Sequence, residues 1–290
     1  MPIKPFVLGA LVAAVIAPAA WGQEGQTRER ARRPTPELEF VPEWRVRVEP
    51  AAGFFAFSGD LQLPAPNRAS EADAFDVEDI NLDRAKLAPF GEIHIAREKW
   101  RITFSGLSLS VEGDAEAPSA GQIGDFDVVA GQSIESELTY ITAGFRAGYR
   151  VWSWVSGRDA TGAAELSLGI DALAGLRMHN VDTKTTVAGA GTTSADETFV
   201  DVLGGARLEL DWKRTLAFDL YATGGGLPAG DRTSRSFNLG LGFTYRPIPT
   251  VGALVGYRLT AFNLENDDGA ETFEYDGALA GVYWGVQLSF

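Results

Sequence analysis

The sequence predicts an all-β chain: a closed antiparallel transmembrane β-barrel of about ten strands, with eight and twelve as the neighbouring counts. Three observations lead there. From Trp44 onward apolar and polar residues alternate in one segment after another, which is the period of a strand with two unlike faces. The links between these segments are short and long in turn. Tryptophans and tyrosines gather at the segment ends beside the short links.

The alternation is clearest at 236–246. Phe237, Leu239, Leu241, Phe243 and Tyr245 face one way, and Ser236, Asn238, Gly240, Gly242, Thr244 and Arg246 the other. Segment 164–179 sets Leu166, Leu168, Ile170, Ala172, Ala174 and Leu176 against Glu165, Ser167, Gly169, Asp171, Gly175 and Arg177. Ten such strands are expected near 44–58, 84–97, 99–112, 135–151, 162–181, 197–212, 214–224, 234–247, 250–264 and 276–290. Each reaches the roughly 9–11 residues that a tilted strand needs to cross a bilayer. In 99–112 the apolar phase changes, Trp100, Ile102 and Phe104 giving way to Leu107, Leu109 and Val111. That slip predicts a β-bulge near Gly106.

Short links lie at 97–99, 212–214 and 246–250, with a somewhat longer one at 152–161; long polar links lie at 59–83, 113–134, 182–196, 225–233 and 265–275. Membrane barrels sort their links this way, with short periplasmic turns and long surface loops, whereas a sandwich has no reason to. Trp44, Trp100, Tyr149, Trp152, Trp212 and Tyr245 all fall on the short-link side, as rings do where hydrocarbon meets headgroups. The apolar face is therefore assigned to lipid. Gly240, Gly242, Gly252, Gly256, Gly281 and Gly285 share the inward phase, where a small lumen is short of room.

Residues 1–22 read as a secretory signal peptide. Lys4 is its positive start, Phe6–Ala17 its apolar stretch, and Ala20 and Gly22 its small residues before a cut at Gln23. Residues 23–43 carry charge and proline without apolar period and are expected to form a flexible periplasmic linker, so that 44–290 is the barrel. The expected location is the cell outer membrane, with outer-membrane lipid as the surrounding partner. The chain has no cysteine, which excludes disulfides and thiolate chemistry. A net charge of −14 gives no basic footprint for nucleic acid.

The C-terminal half, with LGLGFTYRP, GALVGYRLTAFNLENDD and FEYDGALAGVYWGVQLSF, resembles Gram-negative outer-membrane β-barrel proteins of the porin and OmpA-like type. The resemblance implies that Trp284, Val286, Leu288 and Phe290 form the C-terminal signal read by the barrel-assembly machinery. It implies no catalytic motif and no substrate.

By phase, the lumen receives a charge network of Arg45, Arg47, Glu49, Glu92, Arg146, Arg150, Glu165, Asp171, Arg177, Asp201, Arg207, Glu209, Asp219 and Arg258, joined by His94 and His179. Ten strands leave a lumen that side chains nearly fill, so opposite charges are expected to pair across it. Arg146 and Arg177 are expected to pair with Glu165, Asp171, Asp201 and Glu209. The functional expectation is a structural membrane protein or a narrow, low-conductance pore. The alternative is a surface enzyme, a protease or lipid hydrolase, since omptin proteases share the strand number. Its base could only be His94 or His179, and no nucleophile clusters with either. A channel for apolar ligands is disfavoured by a charged lumen. No cofactor or metal is expected inside. Divalent cations are the alternative partner at the acidic loops, where Asp60, Glu71, Asp73, Asp76, Glu78, Asp79 and Asp83 and the run Asn266–Gly269 lie; the EF-hand spacing is absent.

Deleting Phe290 is expected to lower the fraction of chain recovered as heat-modifiable, membrane-integrated barrel. Equal recovery of the deletion and the full chain would remove the C-terminal signal.

Overall fold

The structure is a computed structural model that describes residues 44–68, 72–158, 164–267 and 272–290. The expected signal peptide and linker lie outside these residues, as do Glu71 and Asp268–Gly269 of the acidic loops. The chain runs β1 (Arg45–Gln62), β2 (Phe75–Asp76), β3 (Lys86–Arg97), β4 (Trp100–Glu116), β5 (Gly121–Ile123), β6 (Phe126–Val128) and β7 (Ser133–Arg158). It continues through β8 (Ala164–Val187), β9 (Gly191–Trp212), β10 (Leu216–Ala229), β11 (Arg232–Ile248), β12 (Val251–Asn266) and β13 (Phe273–Ser289). Ten of these, all but β2, β5 and β6, pair antiparallel in sequence order, and β13 pairs back onto β1. Closure runs from Gln62↔Glu274 to Arg47↔Ser289. It ends where Phe290 N–H donates to Val46 O at 2.8 Å and Val46 N–H to Phe290 O at 3.2 Å.

The outer wall carries large exposed apolar side chains, including Phe104, Phe145, Leu176, Val202, Phe243, Val255 and Trp284. A belt of this kind all round a closed sheet is a lipid-facing surface, and the fold is a transmembrane β-barrel. On β8 the outward apolar run goes from Leu166 to Met178, about 40 Å along the strand and roughly 30 Å after tilting, the thickness of a bilayer core. Trp44, Trp100, Tyr149, Trp152, Trp212 and Tyr245 are all exposed at the short-turn end. Trp284 and Val286 on β13, and Phe290 just after it, are exposed, with Leu288 half-buried.

Above the belt the two faces exchange character. Outward positions become polar, as at Glu112 and Asp114 on β4, Glu135 and Glu137 on β7, and Asp182 and Lys184 on β8, all exposed. Inward positions become apolar, with Val111, Leu138, Val181 and Leu264 at 0% exposure. This exchange is what the phase change in 99–112 records. Leu107, Leu109 and Val111 lie on the same inward side as Arg101 and Thr103, and β4 pairs with β7 from Trp100↔Tyr149 to Glu116↔Ser133 without a break. No bulge lies near Gly106. The wall's bulges are between Arg150 and Trp152 on β7 and between Tyr245 and Ile248 on β11. The first turns both Val151 and Trp152 outward and carries β7 on past the expected end at 151.

Two expected long loops are not loops. Segment 182–196 is the paired top of β8 and β9, closed by residues 188–190, and 225–233 is the paired top of β10 and β11, closed by 230–231. Their polar composition marks strands leaving lipid for water. The segment after β1 is not merely a solvated acidic loop either. It inserts Leu63, Val77, Ile80 and Leu82 into the top of the barrel, and the β5–β6 hairpin adds Ile123 and Val128. Phe262 stacks on Tyr140 with centroids 5.5 Å apart and meets Tyr275 edge-on at 4.9 Å. Asn67 ties the two inserted segments, its backbone N–H and side-chain N–H donating to the Asp125 carboxylate at 2.9 and 2.6 Å. The outer half of the lumen is an apolar core.

Leu138→Ala in this core is expected to cost about 2–5 kcal/mol of unfolding free energy, because nothing refills the space. Leu176→Ala on the wall should cost clearly less, because lipid does. Urea titration of the barrel in lipid vesicles compares them; equal costs would place Leu138 in a solvated lumen.

Candidate functional site in the lumen

Below the apolar core the inward positions are charged, and the register stacks them into tiers. In the tier nearest the short turns, Glu209 accepts from Arg101 and Arg150, each at 2.7 Å. Arg150 also holds Asp171, Arg207 holds Asp219, and Arg246 holds Asp211. Arg47 Nε forms an ion pair with Glu49 Oε1 at 2.8 Å, out of line for a hydrogen bond. Strand twist brings these groups from β1, β4, β7, β8, β9, β10 and β11 to one level.

The next tier centres on Glu92, whose Oε1 accepts from Arg146 at 2.8 Å and from Arg258 at 2.6 Å. Arg258 also donates from Nε to the Tyr221 hydroxyl at 2.9 Å. Both guanidiniums lie on aromatic faces, Arg146 over Tyr221 at 4.2 Å and Arg258 over Phe90 at 4.3 Å, which offsets part of their desolvation. Glycine makes room for this packing. A Cβ at Gly240 would collide with the Tyr221 ring, and one at Gly256 with the Tyr283 hydroxyl. His94 stands beside Glu92, its Nε2 3.3 Å from Glu92 Oε2 and 3.4 Å from Glu49 Oε2, and its Nδ1 3.0 Å from Thr103 Oγ1.

At the floor of the apolar core lies a separate cluster. Asp201 accepts from Ser234 and Ser236, and from His179 Nε2 at 3.1 Å. With the His179 proton on Nε2, Nδ1 accepts the Tyr140 hydroxyl at 2.6 Å. His179 and Asp201 have no exposure. The arrangement satisfies each buried polar group and gives no solvent path to any of them.

The expected network needs four corrections. Arg146 pairs with Glu92 and not with Glu165, Asp171, Asp201 or Glu209. Arg45 and Glu165 are exposed at the rim, outside it. Arg177 is buried, yet among the described residues no carboxylate lies within ion-pair distance of it. Its cross-strand partner in register, Asp201, is turned to His179 and the two serines instead. The charges also fill only the lower half of the lumen, since the inward positions above them are apolar. Arg101 and Arg246 are in the network without having been expected there. Both follow the inward phase of their strands, and phase was the signal that could have included them.

No family model and no curated protein matches the sequence. Among solved structures the chain is similar to the outer membrane protease OmpT from Escherichia coli, at 8% identity and a TM-score of 0.49, covering 88% of this chain and 99% of that one. It is also similar to Neisserial surface protein A, at 11% identity and a TM-score of 0.33, covering 85% and 97%. A third is Ail, the attachment invasion locus protein of Yersinia pestis, solved with the heparin analogue sucrose octasulfate, at 11% identity and a TM-score of 0.32, covering 84% and 99%. All three are outer-membrane proteins, and at these identities none speaks to activity. The closed wall, its lipid belt and the filled lumen define the class of this chain: a small transmembrane barrel of the outer-membrane type.

Glu92→Ala leaves Arg146 and Arg258 without their shared carboxylate and is expected to cost about 3–5 kcal/mol. Arg177→Met breaks no ion pair and should cost less than half of that. Chemical unfolding in vesicles measures both; a larger loss for Arg177→Met would mean that Arg177, not Glu92, organises the lumen.

Proposed function

We propose that this chain is exported through residues 1–22, inserted into the Gram-negative outer membrane by the barrel-assembly machinery, and works there as a structural, essentially closed barrel that presents a rigid acidic surface. The observation that carries this reading is the apolar packing across the outer half of the lumen, where Leu63, Val77, Ile80 and Leu82 fill the space between the strands. Among the described residues such an apolar layer opposes the passage of water and ions. Two voids in the charged half measure about 20 and 40 Å³. A water molecule takes roughly 30 Å³ of liquid, so these hold a few waters and no solute column.

The placement of both histidines supports a non-enzymatic role. Both His179 nitrogens are engaged and its side chain is sealed off. His94 sits among carboxylates and guanidiniums, and its Nδ1 meets the Thr103 hydroxyl. A hydrolase base needs a lone pair, a nucleophile and a place for substrate together.

The wild-type barrel in planar bilayers is expected to show no steady current above the lipid baseline, and deletion of Val77–Leu82 to open discrete conductance steps. A large steady current through the wild type would overturn the closed-barrel reading.

A further inference from the structure

Glu49, Glu92 and His94 come from neighbouring positions on β1 and β3, where Arg47↔His94 and Glu49↔Glu92 are register pairs. Each carboxylate is held from behind by arginine through one oxygen. Arg47 takes Glu49 Oε1, and Arg146 and Arg258 take Glu92 Oε1. The two Oε2 atoms are left turned toward His94 Nε2, and one ligand atom from each of the three residues lies within 4.8 Å of the others. We propose that these three side chains form a site for a single divalent transition-metal ion of the Zn²⁺ class, reached from the short-turn mouth of the barrel.

The spacing carries the proposal. His94 Nε2 is 3.3 and 3.4 Å from the two oxygens, long for a hydrogen bond between such groups. Ligands held about 2.0–2.1 Å from a tetrahedral ion stand ~3.3–3.4 Å from each other. The outer contacts are those that orient metal ligands. Thr103 Oγ1 is 3.0 Å from His94 Nδ1 and can accept its proton, which directs the Nε2 lone pair inward. The arginines hold both carboxylates in place. A cavity of about 40 Å³ adjoins the three residues, with room for a water as fourth ligand. Arg47, Arg146 and Arg258 oppose a dication, so ions that bind by charge alone, Ca²⁺ and Mg²⁺, are disfavoured. Ions that gain from imidazole are favoured over them.

The test is calorimetric titration of the untagged, folded full-length barrel in detergent with ZnCl₂, CaCl₂ and MgCl₂ in turn. One Zn²⁺ per chain is expected, with no saturable heat from Ca²⁺ or Mg²⁺. His94→Gln and Glu49→Gln should each weaken Zn²⁺ binding tenfold or more, while Asp60→Asn/Asp76→Asn, on the paired ends of β1 and β2, leaves it unchanged. Glu49 is half-buried, and heat-modifiable mobility shows whether each variant still folds. Absence of saturable Zn²⁺ binding to the wild type overturns the proposal. So does binding that survives both lumen substitutions in folded protein, or binding lost in the Asp60→Asn/Asp76→Asn variant alone.

Discussion

Within a bilayer no water is available to a backbone N–H or C=O, and each must find its partner in the wall. The pairing of β13 with β1 meets that requirement, and most other features follow from it. Closure fixes the strand number, the strand number fixes the bore, and the bore fixes how much must be packed inside. The inward side chains are thus constrained as a core is, although many of those in the lower lumen are charged. Where the pleat brings several large rings together, glycine gives way, as at Gly240 beneath Tyr221 and Gly256 beside Tyr283.

The interior is filled by two different chemistries because the surroundings of the wall change along its height. Inside the belt, the outer face takes the apolar residues and the lumen takes the charges. Such charges persist only when matched, which Glu92 and Glu209 do by accepting from two arginines each. Above the belt the outer face meets water, and the same pleat turns apolar side chains inward. The Tyr140–His179–Asp201 cluster sits at the junction. Its bonds end at Ser234 and Ser236, so the polar lower half and the apolar upper half meet without an orphaned carboxylate.

The period of two made the barrel legible, because every strand has unlike faces and each face could be followed residue by residue. All ten wall strands lie where alternation places them. The differences at the bulge and the two loops have one source: alternation identifies two faces, but the medium each face meets changes along the strand. At Leu107 the medium changed, and the exchange of faces was read as a bulge. At 182–196 and 225–233, outward polar residues were read as loops when they belong to strands in water. Arg177 shows the other limit. Register brings it beside Asp201, but side-chain competition decides the pairing, and two serines and a histidine hold that carboxylate. The true bulge at Arg150–Trp152 left no mark in composition, since Val151, Trp152 and Trp154 all suit lipid.

The tops of β7, β8 and β9 continue well past the apolar belt, to a turn at 188–190. From Asn180 to Val187 the strand extends by about 25 Å, or nearly 20 Å in height after tilt. Paired on both sides and packed on an apolar filling, this extension cannot bend as a loop would. The molecule thus carries a stiff mast on its outer side, held upright by its own core. That end of the barrel presents a fixed shape, with Gly189 in the turn that closes β8 onto β9.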